Sequence, residues 1–176
     1  KVPFFENFKK TINKDAILIS FGTAKFYQEN KIKNIVEKIV NLNKKNKNKI
    51  YLEPRLYKNS FLKLNIHKAN YSEKMYNEVS IAITKPGLGT VEECLRRGIK
   101  IICFTKGMHA EFKHNANVLL KLKLAYKKNS LIECYKLANN LLYKKKELKK
   151  TLTKCMSLKW GGEKTIANYI IKREKY

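Results

Sequence analysis

Three segments of the sequence combine glycines, hydroxyls, a lysine and carboxylates at spacings suited to a phosphorylated, hydroxyl-rich ligand. The first is Ser20-Phe21-Gly22-Thr23-Ala24-Lys25, directly behind the apolar run Ala16-Ile17-Leu18-Ile19. A glycine behind a strand lets backbone approach a ligand closely, and N–H groups in the turn and at the next helix start favour a diphosphate. Thr23 adds a hydroxyl and Lys25 a positive charge. The segment is neither a Gly-Lys-Ser/Thr phosphate loop nor a G-x-G-x-x-G turn. An ordinary turn glycine is the competing explanation of Gly22.

The second segment runs Thr84-Lys85-Pro86-Gly87-Leu88-Gly89-Thr90-Val91-Glu92-Glu93 and ends at Gly98. Gly87 and Gly89 precede a helical pattern, and one carboxylate can accept both hydroxyls of a ribose. Glu93 is placed to be that carboxylate. It also stands three residues after Thr90, the spacing of a capping box in which the Glu only satisfies a backbone N–H. Local sequence leaves both readings open. In the third segment, around Met108 and His109, Glu111 and Asn115 are four apart, so on a helix they share a face and can bind sugar hydroxyls. The competing reading is a solvated acidic helix start favoured by the helix dipole. His109 and His114 have no Ser, Cys or Asp partner to act with and read as surface histidines.

The elements that must position these segments follow from the apolar pattern. Residues 16–20, 79–83 and 99–104 are continuous apolar runs that predict buried strands, each leading to a turn or helix start. Ile32, Ile35, Val36, Ile39 and Val40 recur at three-and-four spacing and predict a helix over 29–42, closed by the Lys/Asn stretch 43–49. Residues 50–52 and 61–64 read as short strands and 72–78 as a helix. Residues 90–97 read as a helix closed by Gly98, and 111–122, 131–143, 146–156 and 162–173 as further helices. Residues 1–14 read as a lead-in. The alternation predicts an α/β fold: a Rossmann-like parallel sheet covered by helices on both faces, forming one domain over 1–176. Ligands of such sheets bind beyond the carboxyl ends of the strands, where all three segments fall.

Composition narrows the class. A chain of 176 residues with 44% apolar content can bury one core, and no apolar run approaches the roughly 20 residues that span a bilayer. Cys94, Cys103, Cys134 and Cys155 form no C-x-x-C pair and suggest neither zinc nor a disulfide framework, which fits a reduced, cytoplasmic setting. The histidines make no metal-ligand spacing, so no metal and no cofactor is expected. Lys plus Arg number 39 against 14 Asp plus Glu, a formal net charge of +25. Such a surface attracts polyanions, yet the excess is scattered lysine without Arg-rich stripes, interleaved aromatics or a module motif, so nucleic acid is not the expected partner.

In order, the three segments resemble the C-terminal, donor-binding domain of GT-B glycosyltransferases of the lipid-intermediate N-acetylglucosaminyltransferase and monogalactosyldiacylglycerol synthase kind. The likeness runs from about Ala16 to Ala125 and is most specific from Ile83 through Thr90-Val91-Glu92-Glu93 to Gly98, then Glu111 with Asn115-Ala116. The resemblance implies a nucleotide-sugar site, with UDP-sugar the expected ligand. It assigns Gly22 and Thr23 to the donor diphosphate and Gly87 and Gly89 to packing against the nucleotide, and Lys85 and Thr90 of the same stretch are counted as candidate nucleotide-sugar contacts with them. Glu93 falls to the ribose and the pair Glu111-Phe112 to the sugar, with Asn115, already a candidate from its spacing to Glu111, beside them. Phe112 stands where the family usually has Gln. The implied chemistry inverts the anomeric centre without a metal, because turn amides and a helix N-terminus neutralise the leaving diphosphate. It also implies a catalytic base on an N-terminal acceptor domain or partner subunit absent from this chain. The isolated chain is then expected to bind donor and transfer little, peripheral at an anionic membrane surface on the inner face. A nucleotide-sugar 2-epimerase, a separate donor-domain subunit and a non-catalytic polyanion-binding module are the alternatives.

Overall fold

The computed structural model describes residues 14–22, 29–107 and 109–158. Thr23, Lys25, Met108, residues 1–13 of the lead-in and the helix expected over 162–173 lie outside the described residues.

Six strands form a single sheet in the order β3-β2-β1-β4-β5-β6: β1 Ala16–Ser20, β2 Ile50–Leu52, β3 Ile66–Lys68, β4 Val79–Thr84, β5 Lys100–Phe104 and β6 Ala125–Lys128. Every pairing is parallel, with Ile19 opposite both Leu52 and Ile83, and Ile83 opposite Ile102. β1, β4 and β5 are buried along their whole length, which is why their sequences run apolar without alternation. Removing an isoleucine of these strands from water contributes about 1.5–3 kcal/mol.

Helices cover both faces. On one, α1 (Glu29–Asn46) and α5 (Leu131–Leu142) pack Val36, Ile39, Leu131 and Tyr135 against Ile17, Ile19, Ile81 and Ile83. On the other, α2 (Glu73–Glu78), α3 (Leu88–Arg96), α4 (Ala110–Lys121) and α6 (Lys145–Met156) bury Met75, Cys94, Leu119 and Cys155 against Leu18, Ala82 and Ile101. The α1 helix outlasts its expected end and is closed by one buried side chain. Asn43 donates to Asn48 O at 2.9 Å and accepts from the Asn48 N–H at 3.1 Å and the Tyr135 hydroxyl at 2.8 Å. All four cysteines are buried and free, and burial pushes the Cys94, Cys103 and Cys134 thiols up to about 12. No helix of the described residues is long and apolar enough to cross a membrane.

Three local expectations are corrected. Residues 59–64 form a 3₁₀ helix rather than a strand, and the strand lies just beyond it at Ile66–Lys68. Its left-handed cap Asn65 (φ 60°) turns the chain into that strand. Ala125–Lys128, between the helices expected over 111–122 and 131–143, is an additional strand, the sixth. The third helix begins at Leu88 with Gly87 as its N-cap, two residues before Thr90, so Thr90 is inside the helix and the Thr90–Glu93 capping box does not form.

Candidate functional site

The chain leaves β1 towards β2 and β3 on one side and leaves β4 towards β5 and β6 on the other, so the strand order reverses between β1 and β4. Crossovers on either side of that point lie on opposite faces, which opens a crevice beyond the carboxyl ends of the two strands. Gly22 follows β1, Gly87 follows β4 and His109 follows β5. Because these three strands are neighbours and parallel, the described residues of all three segments reach one rim.

Gly22 takes φ +68°, a conformation costly to residues with a Cβ, and a Cβ there would meet nothing within 4 Å among the described residues. The turn is clamped from below by residues the sequence reading missed. Glu53, buried at the end of β2, accepts the Phe21 N–H at 2.5 Å through Oε2 and receives Arg55 on Oε1 at 3.1 Å. The Arg55 guanidinium also donates to Gly22 O, and the Ser20 hydroxyl is hydrogen-bonded to the Tyr71 hydroxyl at 2.9 Å. Phe21 packs on Phe104 with ring centroids 5.7 Å apart, linking the β1 turn to the end of β5. Their one sequence signal was position: Glu53-Pro54-Arg55 follows a short strand as the three chosen segments follow theirs.

Lys85 enters this network from β4. It is 3% exposed, and burial lowers its pKa to about 8, with Glu53 opposing that shift and Arg55 adding to it. The lysine therefore sits among the groups that hold the Gly22 turn, between the first and second segments. Its carbonyl accepts the Gly87 N–H at 2.8 Å and the Thr84 hydroxyl at 2.9 Å, fixing the turn into α3.

A Cβ on Gly89, in the first turn of α3, would stand in open space, so packing within the described chain does not require glycine there. Glu93 is partly exposed and pairs with Arg97 one turn on, while Glu92 pairs with Arg96 at 2.6 Å. The Arg97 guanidinium lies over the Tyr76 ring, 4.7 Å from its centroid. The rejected cap is thus replaced by an ion pair on the helix surface.

From α4, the Asn115 amide donates to Pro86 O at 2.9 Å, and Phe112 lies 3.6 Å from the Cβ position of Gly87. The third segment is therefore bound to the second. Glu111 is exposed in the first turn of α4, and His109 is its N-cap without a side-chain cap bond. Among the described residues, no group of three or more His, Cys, Asp or Glu side chains is arranged to hold a metal ion.

No family model matches the sequence, and no curated protein matches it. Solved structures do match the fold. The kitacinnamycin glycotransferase aligns with TM-score 0.57 at 14% identity, over 81% of this chain and 39% of its own. LpCGTa, solved in complex with UDP, aligns with TM-score 0.63 at 11% identity, over 97% and 44%. UGT2 of Phytolacca americana, solved with UDP-2-fluoroglucose and pterostilbene, aligns with TM-score 0.61 at 13% identity, over 96% and 44%. The chain thus spans less than half the length of these proteins, and it shares the Rossmann-like parallel α/β fold of GT-B glycosyltransferases.

Proposed function

We propose that this chain is the donor-binding domain of a metal-independent, inverting glycosyltransferase that uses a nucleotide sugar, with UDP-sugar as the donor. The observation that carries the reading is the convergence of the Gly22, Gly87 and Glu111 segments on one rim at the point where the strand order reverses. Two of the fold neighbours were solved with a UDP ligand, which supports the choice of nucleotide.

In this reading the space that the described residues leave open at Gly22 and Gly89 admits the diphosphate and nucleotide to close backbone contact, and the start of α3 supplies N–H donors to the negative charge. Lys85 adds a cation beneath the Gly22 turn. Charge that builds on the leaving diphosphate meets donors already in place, which lowers the barrier without a metal. Glu93 accepts the ribose hydroxyls, exchanging part of its contact with Arg97. Glu111 reads the sugar, while Asn115, committed to Pro86, holds α4 against the nucleotide turn. Phe112 beside Gly87 gives the sugar an apolar neighbour where the resembling lipid-intermediate N-acetylglucosaminyltransferases and monogalactosyldiacylglycerol synthases carry Gln. The catalytic base belongs to an acceptor domain or subunit outside this chain.

Isothermal titration with UDP tests the assignment through Glu93→Gln. Loss of charge-assisted hydrogen bonds to the ribose costs about 1.5–3 kcal/mol, or roughly a tenfold to hundredfold weaker Kd. The melting temperature should barely move, because an i,i+4 helix pair, here partly exposed, is worth about 0.3–0.5 kcal/mol. UDP affinity equal to that of the unaltered chain, or no UDP binding by either, overturns the reading.

A further inference from the structure

We propose that a cleft on the opposite rim of the sheet, between the end of α4, the start of β6 and the start of α6, binds a phosphoryl-bearing anion. The cleft encloses about 920 Å³, within the size range of small-molecule sites. Its lining fixes its place. Lys100 opens β5, Ala125 and Tyr126 open β6, and residues from Tyr143 to Thr151 span the end of α5 and the start of α6. In a parallel sheet those positions form the amino rim, away from Gly22 and Gly87. The inference is therefore independent of the donor-site reading.

Charge gives the cavity its chemistry. Seven lysines line it, among them Lys100, Lys123, Lys144, Lys146 and Lys150, against one carboxylate, Glu147. That carboxylate already receives the Tyr126 hydroxyl. The ammonium groups of Lys123, Lys144, Lys146 and Lys150 have no hydrogen-bond or ion-pair partner among the described residues. Lys100 forms the floor: it is 4% exposed, donates to Lys123 O at 3.1 Å and lies 4.8 Å from the Tyr126 ring centroid. Burial holds its pKa below the ordinary lysine value, although Glu147 pulls it back up.

A cleft lined by one sign of charge with low-dielectric walls focuses its field on whatever enters. Lysine ammonium groups bind phosphate as point charges without demanding planar geometry. Lys144, Lys145 and Lys146 crowd the start of the twelve-residue α6, where the helix dipole already disfavours cations, and the N-cap Lys144 makes no side-chain cap bond. An anion in the cleft relieves this mutual repulsion. The concave shape, walled by Tyr126 and Tyr143, suits a compact phosphoryl group better than a polynucleotide, which needs an open groove and stacking platforms.

The test is amine-acylation footprinting of the whole chain by mass spectrometry at about 0.15 M salt, where long-range attraction is screened. Sodium pyrophosphate is the soluble probe, and phosphatidylglycerol vesicles, with phosphatidylcholine vesicles as reference, are the lipid probe. We expect Lys123, Lys144, Lys146 and Lys150 to be acylated several-fold more slowly with anion bound. Lys85, read in the same spectra, reports the other rim separately. In Lys144→Gln/Lys146→Gln/Lys150→Gln, three exposed positions that the fold does not bury, protection of Lys123 should need about tenfold more anion. Protection by pyrophosphate assigns a soluble phosphorylated ligand, and protection by phosphatidylglycerol vesicles alone assigns a lipid headgroup. Either outcome upholds phosphoryl recognition. Absence of protection by both probes, protection spread evenly over all lysines, or an unchanged midpoint in the triple variant overturns it.

Discussion

Burial brings the Lys85 ammonium to about 8, so near that pH the free protein holds it only partly protonated. A diphosphate beside it favours the charged form and raises the pKa, so binding near pH 8 must take up protons. UDP affinity should therefore weaken as pH rises from 7 to 9. The titration enthalpy at pH 8 should vary with the ionisation enthalpy of the buffer, and Lys85→Gln should abolish that variation. Zero proton uptake by the unaltered chain would remove Lys85 from the diphosphate. The stability effect has the opposite sense. The folded pKa lies below the ordinary lysine value of 10.5, so the unfavourable burial of the cation is fully present below about 8 and fades as pH rises towards 10.5. Glu93 marks a limit of reading side chains from spacing. Its distance from Thr90 fits a capping box, yet the cap goes to whichever residue leaves helical geometry first, and that is Gly87. Glu53 was out of reach for another reason. Its role depends on the Phe21 N–H, 32 residues away in sequence and adjacent only once β1 and β2 pair.

The strands that build the site were the legible elements, because burial on both faces leaves β1, β4 and β5 as unbroken apolar runs. The outer strands were not. β3 (Ile-His-Lys) and β6 (Ala-Tyr-Lys-Lys) are short and half polar, since at the margins only part of each residue is covered. The pair Phe61 and Leu64 was read as a strand because over four residues a 3₁₀ turn and a strand both place apolar side chains where they can be buried. The end of α3 was read correctly at Gly98, and the structure adds a second demand on that glycine. Gly98 takes φ +64°, and a Cβ would come within 2.4 Å of Leu152 Cδ1 and 3.3 Å of the Leu152 Cα on α6. Gly98→Ala therefore combines backbone strain with displacement of a packed helix, and should lower the free energy of unfolding by about 1–3 kcal/mol. Denaturant unfolding measures this. UDP affinity should stay unchanged, because Gly98 lies at the far end of α3 from Gly87, and a Gly98→Ala protein as stable as the parent would contradict the packing described.

As a whole molecule, the chain matches 39% to 44% of the length of its fold neighbours and carries one rim of candidate donor contacts without an assigned base. Binding and turnover should therefore separate. Incubated with UDP-glucose or UDP-N-acetylglucosamine, the 176-residue chain should bind donor yet release UDP no faster than buffer alone, as followed by a coupled UDP assay. Turnover by the isolated chain would place the base within it. The two outermost strands carry a different consequence. Where the described residues leave a sheet edge without a neighbouring strand, unpaired N–H and C=O groups face any extended chain that reaches it. Here the exposed margins are three and four residues long and bear Lys68, Lys127 and Lys128. Two such molecules meeting side by side would have to align lysine against lysine over too few backbone bonds to compensate. Short outer strands that bear lysine thus disfavour growth of an apolar sheet by strand addition.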